Sequence, residues 1–108
     1  MSEDRYPGWY SFIKEKHGNF IKALEQLGES VRREGPLDDK TAHLIQLAAA
    51  AASRSEGWVH SHTRRALRAG ATPEEIYHTV ILLTSTIGFP HTSAALSWVY
   101  DVLGEEGE

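Results

Sequence analysis

The sequence predicts an all-α protein made of helical hairpins, and three observations carry that expectation. Apolar residues recur at spacings of three and four through much of the chain, which lines them along one helical face. The period-two alternation of a half-buried strand never persists for more than a few residues. Helix starts and stops punctuate the chain at helix-length intervals. Thr72-Pro73-Glu74-Glu75 is the clearest start and Gly70 the clearest stop.

The elements follow in order. A short helix is expected over 7–17, carrying Trp9, Tyr10, Phe12 and Ile13, with Gly18 breaking it. Asn19 is a good N-cap for a second helix, in which Phe20, Leu24, Leu27 and Val31 form one apolar stripe. Gly35-Pro36 ends it. Asp38 and Asp39 then put negative charge where the dipole of a third helix favours it. That helix, about 41–53, is apolar nearly all round and closes on Leu47 and a run of alanines, so it suits close packing on several sides at once. A fourth helix runs over about 56–69, with Gly70 as its stop. The capping box at Thr72 opens a fifth, with Pro73 at its first position and Ile76, Val80, Ile81, Leu82 and Leu83 along it. Gly88-Phe89-Pro90 is read as a turn into a last helix over about 91–103, where some of Ala94, Ala95, Leu96, Trp98, Val99 and Val102 are buried. The acidic tail 104–108 is expected to fray. Segments 41–70 and 73–104 are thus two hairpins of similar length, with His62 and His91 each near the start of a second helix.

Composition bounds the function. A chain of 108 residues is enough for a single domain over 1–108, with N-terminal helices in 1–35 and the main core in 36–103. A net charge of −4 argues against a partner that is nucleic acid or an anionic membrane. The basic cluster Arg64, Arg65 and Arg68 reads as a solvated helix face. No apolar run is long enough to span a bilayer, and a cytoplasmic protein is expected. With no cysteine, the chain has no disulfide, thiolate zinc site or thiol nucleophile. The third helix is too apolar on every face for a lone small domain, so self-association is expected.

The segment from Leu37 through Ile45, the alanine-rich helix, Ser61-His62-Thr63-Arg64-Arg65-Ala66-Leu67, Ala69 through Ile76 and Gly88-Phe89-Pro90 occur in that order. This combination resembles the carboxymuconolactone decarboxylase and alkylhydroperoxidase D-like family over roughly 36–103. The resemblance implies five to six helices in hairpins, assembled as homotrimers or homohexamers with sites near subunit boundaries. The redox branch of that family uses a glutamate, a Cys-x-x-Cys pair and a histidine four residues after the second cysteine. Aligned on His62, the two cysteines fall on Ser55 and Trp58 and the glutamate on His43. Only His62 matches, and a serine hydroxyl forms neither sulfenic acid nor disulfide. The decarboxylase branch works without the cysteine pair by acid–base chemistry, and Glu56, His60 and His62 suggest that arrangement.

Glu56 and His60, four apart on a helix, pair as a carboxylate orienting a proton-shuttling imidazole, or as an ordinary surface pair. His62 lies on one stripe with Ser55 and Trp58, as a general base beside an indole wall or as a buried structural histidine. His43, on the preceding helix, faces His62 across the hairpin or is satisfied in the core. The expected catalytic residues are Glu56, His60 and His62; the expected substrate contacts are His43, Ser55, Trp58 and His91. No cofactor is expected. As a metal site Glu56, His60 and His62 do not close, because residues i, i+4 and i+6 do not share one helical face. The function expected is binding of a small organic molecule with acid–base chemistry of lyase or isomerase type. The alternative is a binding or structural oligomer without catalysis. A converging set of His43, Glu56, His60 and His62 favours the first; outward-facing Glu56 and His60 favour the second.

Overall fold

The computed structural model describes residues 8–105; Pro7 of the first expected helix and residues 106–108 of the tail lie outside them. Every regular element among the described residues is helical, as expected: α1 (Gly8–Lys16), α2 (Gly18–Arg32), α3 (Asp39–Ala52), α4 (Glu56–Arg68), α5 (Pro73–Ile81), the single turn α6 (Thr84–Ile87) and α7 (Phe89–Glu105). The chain divides between Asp38 and Asp39 into two compact units.

In the first unit, α1 and α2 are separated by His17 alone. The His17 N–H donates to the Ile13 carbonyl at 2.6 Å and the Ile21 N–H to the His17 carbonyl at 3.1 Å. Backbone bonding therefore crosses the joint, and Gly18 opens α2 instead of breaking the chain. Asn19 lies inside the helix, so its expected N-cap role falls to His17. The Tyr10 hydroxyl donates to Glu25 Oε2 at 3.1 Å, and Lys14 Nζ reaches the same oxygen at 3.3 Å. These contacts hold α1 on α2. The stripe of Phe20, Leu24, Leu27 and Val31 is exposed, while Ile21 beside it is buried.

The second unit is built on α3. It contacts α4, α5 and α7, and one continuous core draws on all four helices: Leu47, Ala50 and Ala51; Val59 and Ala66; Ile76 and Val80; Ala95, Val99 and Leu103. Alanines at the contact let helix axes approach closely. Thr63, fully buried in this core, bonds its hydroxyl to the Val59 carbonyl at 2.7 Å, which satisfies that hydroxyl. The outer side of α3 leaves Ile45, Ala49 and Ala52 exposed.

Both α3 and α4 end in the same hydrogen-bonded turn. After α3, Arg54 N–H donates to Ala51 and Ser55 N–H to Ala50; after α4, Gly70 donates to Leu67 and Ala71 to Ala66. This is the Schellman arrangement, which needs a left-handed residue after the helix. Gly70 takes it at φ 103°, as expected of a stop glycine, but Arg54 takes it at φ 58°. A side chain there costs about 1 kcal/mol or more.

The expected capping box is complete. Thr72 N–H donates to Glu75 Oε1 at 3.0 Å and Glu75 N–H to Thr72 Oγ1 at 3.1 Å. Lys40 Nζ reaches Glu75 Oε2 at 3.2 Å, tying the starts of α3 and α5. Other boundaries differ from expectation. Helix α5 stops at Ile81, and Leu82 and Leu83 lead into α6. The turn is carried by Gly88 alone, at φ 91°. Phe89 and Pro90 already belong to α7, because a proline fits the first helical turn, where its missing N–H has no partner to lose. Gly104 and Glu105 continue that helix where fraying was expected. No helix among the described residues is long and apolar enough to cross a membrane.

The Thr72 N–H above all, and then Lys40, hold the Glu75 carboxyl below its ordinary value of 4.5. A depressed folded-state value contributes stability above the unfolded one and loses it as pH falls through the folded one. Glu75→Gln keeps a capping carbonyl but removes the charge. In urea titrations at pH 7 it should unfold earlier than the wild type, and the two midpoints should converge as the pH drops below 4.5. Equal midpoints at pH 7 would show that the charge contributes nothing.

Candidate functional site

Helix α4 presents three stripes, each a set of side chains about one turn apart. Val59, Thr63 and Ala66 point into the core. Trp58 and His62 form a second stripe, and Glu56 and His60 a third. Residues two apart on a helix face away from each other, so His60 and His62 serve different neighbourhoods.

The second stripe meets α3. The His62 ring lies 5.7 Å from that of His43, centroid to centroid, with 40° between their planes. The Trp58 indole lies 5.9 Å from the same ring, at 31°. Three rings thus stand in series with His62 in the middle. His43 is 7% exposed and Trp58 41%, so the series runs from core to surface. His43 does face His62 across the hairpin. Ser55 precedes the stripe at the N-cap of α4. Its N–H donates to Ala50 and its carbonyl accepts from Val59, while its hydroxyl makes no capping bond.

The third stripe meets α7. His60 Nε2 lies 3.0 Å from Asp101 Oδ2 and 4.0 Å from Glu56 Oε2. The three ligating atoms fall within 4.8 Å of one another. Glu56 and His60 do meet, as their spacing predicts, but the structure joins them to Asp101 and not to His62. His91 stands half-buried in the first turn of α7 and joins neither the ring series nor the Glu56–His60–Asp101 cluster. His17 and His78 are exposed. The expected site residues therefore form two groups, His43–His62–Trp58 and Glu56–His60, with Ser55 flanking the first.

Sequence reasoning missed three residues. Asp101 lies too far along the chain for any spacing rule to connect it with His60. Gln46, one turn beyond His43 on α3, carries a buried side-chain oxygen with no hydrogen-bond partner among the described residues, and so does the fully buried Thr92. Such atoms are rare, because an unmet buried acceptor costs about 1–3 kcal/mol. A polar residue inside the apolar run from Leu44 to Ala52 was the available signal for Gln46.

Comparison with known proteins agrees with this fold. The family model described as the carboxymuconolactone decarboxylase family matches residues 19–101. The match begins at Asn19, earlier than the expected 36, and so takes in most of α2. The chain is 28% identical over 94 residues to the uncharacterised protein MJ1511 of Methanocaldococcus jannaschii, covering 87% of this chain and 88% of that one. Two crystal structures share the fold. One is apo-lpg0406 of Legionella pneumophila, a carboxymuconolactone decarboxylase family protein, with a TM-score of 0.72, 21% identity and 87% of each chain covered. The other is TM1620 of Thermotoga maritima, with a TM-score of 0.68, 24% identity and coverage of 92% of this chain and 90% of that one.

Proposed function

The chain belongs to the carboxymuconolactone decarboxylase family, and on that premise we propose that it binds a small organic molecule beside His43, Trp58 and His62 and that His62 moves a proton on it. The series of three rings carries the reading. An imidazole nitrogen donates or accepts according to its protonation state, so paired imidazoles suit proton movement in either direction. Trp58 offers an apolar wall to a flat or hydrophobic substrate. The buried Gln46 oxygen, one turn from His43, is an acceptor suited to a ligand N–H or O–H. Ser55 flanks the site, and the turn at Gly88 with His91, from the same chain or a neighbouring copy, closes it.

The chemistry is independent of thiols. The positions that resemble the redox residues hold His43, Ser55 and Trp58, and none supplies a thiolate for peroxide. The catalytic role goes to His62 and is withheld from Glu56 and His60, whose common neighbour is Asp101. That separation is also what supports the second reading, a binding or structural oligomer without catalysis. The absence of cysteine fits a reducing compartment, and we take the protein as cytoplasmic.

Native mass spectrometry of the purified protein should reveal a retained small molecule. His62→Ala should lower turnover of that molecule by about 10²–10⁴-fold, the usual worth of general acid–base help, while circular dichroism stays unchanged. Retention with no turnover in the wild type would leave the second reading standing, and loss of helicity in His62→Ala would make His62 a structural residue.

Hydroperoxide consumption with a dithiol donor should not rise with protein concentration. Ser55→Cys with Trp58→Cys should restore little of it, because His43 stands where the relay carboxylate would. Proportional turnover by the wild type would overturn this.

Self-association belongs to the same proposal. Ile45, Ala49 and Ala52 on α3 and the stripe on α2 leave apolar side chains in water. Light scattering should give three or six times the chain mass, and a stable monomer at micromolar concentration would refute it.

A further inference from the structure

We propose that Glu56, His60 and Asp101 form a binding site for a divalent transition-metal cation such as Zn²⁺, independent of the ring series on the other side of α4. The pair Glu56 and His60 lacks a third ligand on its own helix, and α7 brings one. His60 Nε2 and Asp101 Oδ2 are 3.0 Å apart. With metal–ligand bonds of about 2.0–2.2 Å, neighbouring octahedral ligands lie roughly 3.0 Å apart and tetrahedral ones roughly 3.4 Å. The His60–Asp101 pair already has a chelating separation. Glu56 Oε2 lies 4.0 Å from Nε2, and all three atoms lie within 4.8 Å of one another, so this carboxylate has to move in by roughly 1–2 Å to complete the set. Its side chain is 59% exposed and stands at the first residue of α4, so a small torsional change suffices and no packing is disturbed.

Electrostatics favour the same occupant. Two carboxylate oxygens and an imidazole nitrogen lie within 4.8 Å of each other. A proton on Nε2 bonds the Asp101 oxygen alone. A divalent cation engages all three atoms and balances both carboxylate charges. The imidazole nitrogen selects against Mg²⁺ and Ca²⁺, which take oxygen ligands, and suits Zn²⁺ and its neighbours. Three protein ligands leave at least one position for water. The platform is firm where it must be: Val59 next to His60 and Val102 next to Asp101 are both buried, which fixes the two backbones, and the His60 side chain is 23% exposed. A bound cation therefore clips α4 to α7.

The full chain, purified in chelator and then freed of it, is to be titrated with Zn²⁺ by calorimetry and by thermal unfolding. One saturable site per chain is expected, with a melting temperature that rises with Zn²⁺ and not with Mg²⁺ at equal concentration. Asp101→Asn and Glu56→Gln, near-isosteric changes at exposed positions, should each weaken binding about tenfold or more. His60→Ala should abolish it, with circular dichroism confirming that the variants fold. His62→Ala should leave it unchanged. No saturable Zn²⁺ binding, an equal response to Mg²⁺, or binding that survives Asp101→Asn and Glu56→Gln yet disappears in His62→Ala would each overturn the assignment. The last outcome would hand the cation to the ring pair instead.

Discussion

The contact between α3 and α4 is the constraint on which the second unit depends. Ala50, Ala51 and Leu47 of α3 and Val59 and Ala66 of α4 share one buried core, in which three of these five side chains are alanines. Small residues make the approach close, and close approach brings a ring on one helix within reach of a ring on the other. His43 and His62 are neighbours for that reason. Bulkier residues in the seam would push the rings apart even if both histidines were kept. The spacing of the two rings is therefore set by residues other than the histidines themselves.

One helix serves two neighbourhoods. The inward stripe of α4 fixes its rotation, and the rotation decides which polar groups go to which partner. Trp58 and His62 go to α3, Glu56 and His60 to α7. A one-residue slip would send the core stripe into water, so the two polar clusters are as strongly specified as the core itself. The proposed division of labour, proton movement on one side and cation binding on the other, rests on this single rotational setting.

Local signals in the sequence were reliable where the chemistry is local. The Thr72 capping box, the Gly70 stop and the extent of α4 follow from neighbouring residues and appear as expected. Errors arose where a residue permits two conformations. Gly18 accepts a helix as readily as a break, and Pro90 is as much at home in a first helical turn as in a loop. The stripe on α2 was visible, but periodicity identifies an apolar face without saying what covers it. Within the site, His62 was marked by its resemblance to a family motif, and His43 by the register between that motif and the helix before it. Asp101 carried no mark, because its pairing with His60 depends on how α7 crosses α4, which no local pattern records. Gln46 does carry a mark, as a lone polar side chain in an apolar helix.

The turn between α3 and α4 has a consequence in time as well as in space. Only Ser53, Arg54 and Ser55 separate the two helices, so closing this hairpin costs little chain entropy. Contacts between segments adjacent in sequence form early and those between distant segments late. The three-ring series needs nothing beyond the hairpin, whereas the His60–Asp101 pair must wait for a segment 41 residues away. Sequence separation therefore favours formation of the ring series before the His60–Asp101 pair. A nascent chain that has not yet made α7 already holds both helices of the ring series, and the carboxylate from α7 is the last piece to arrive.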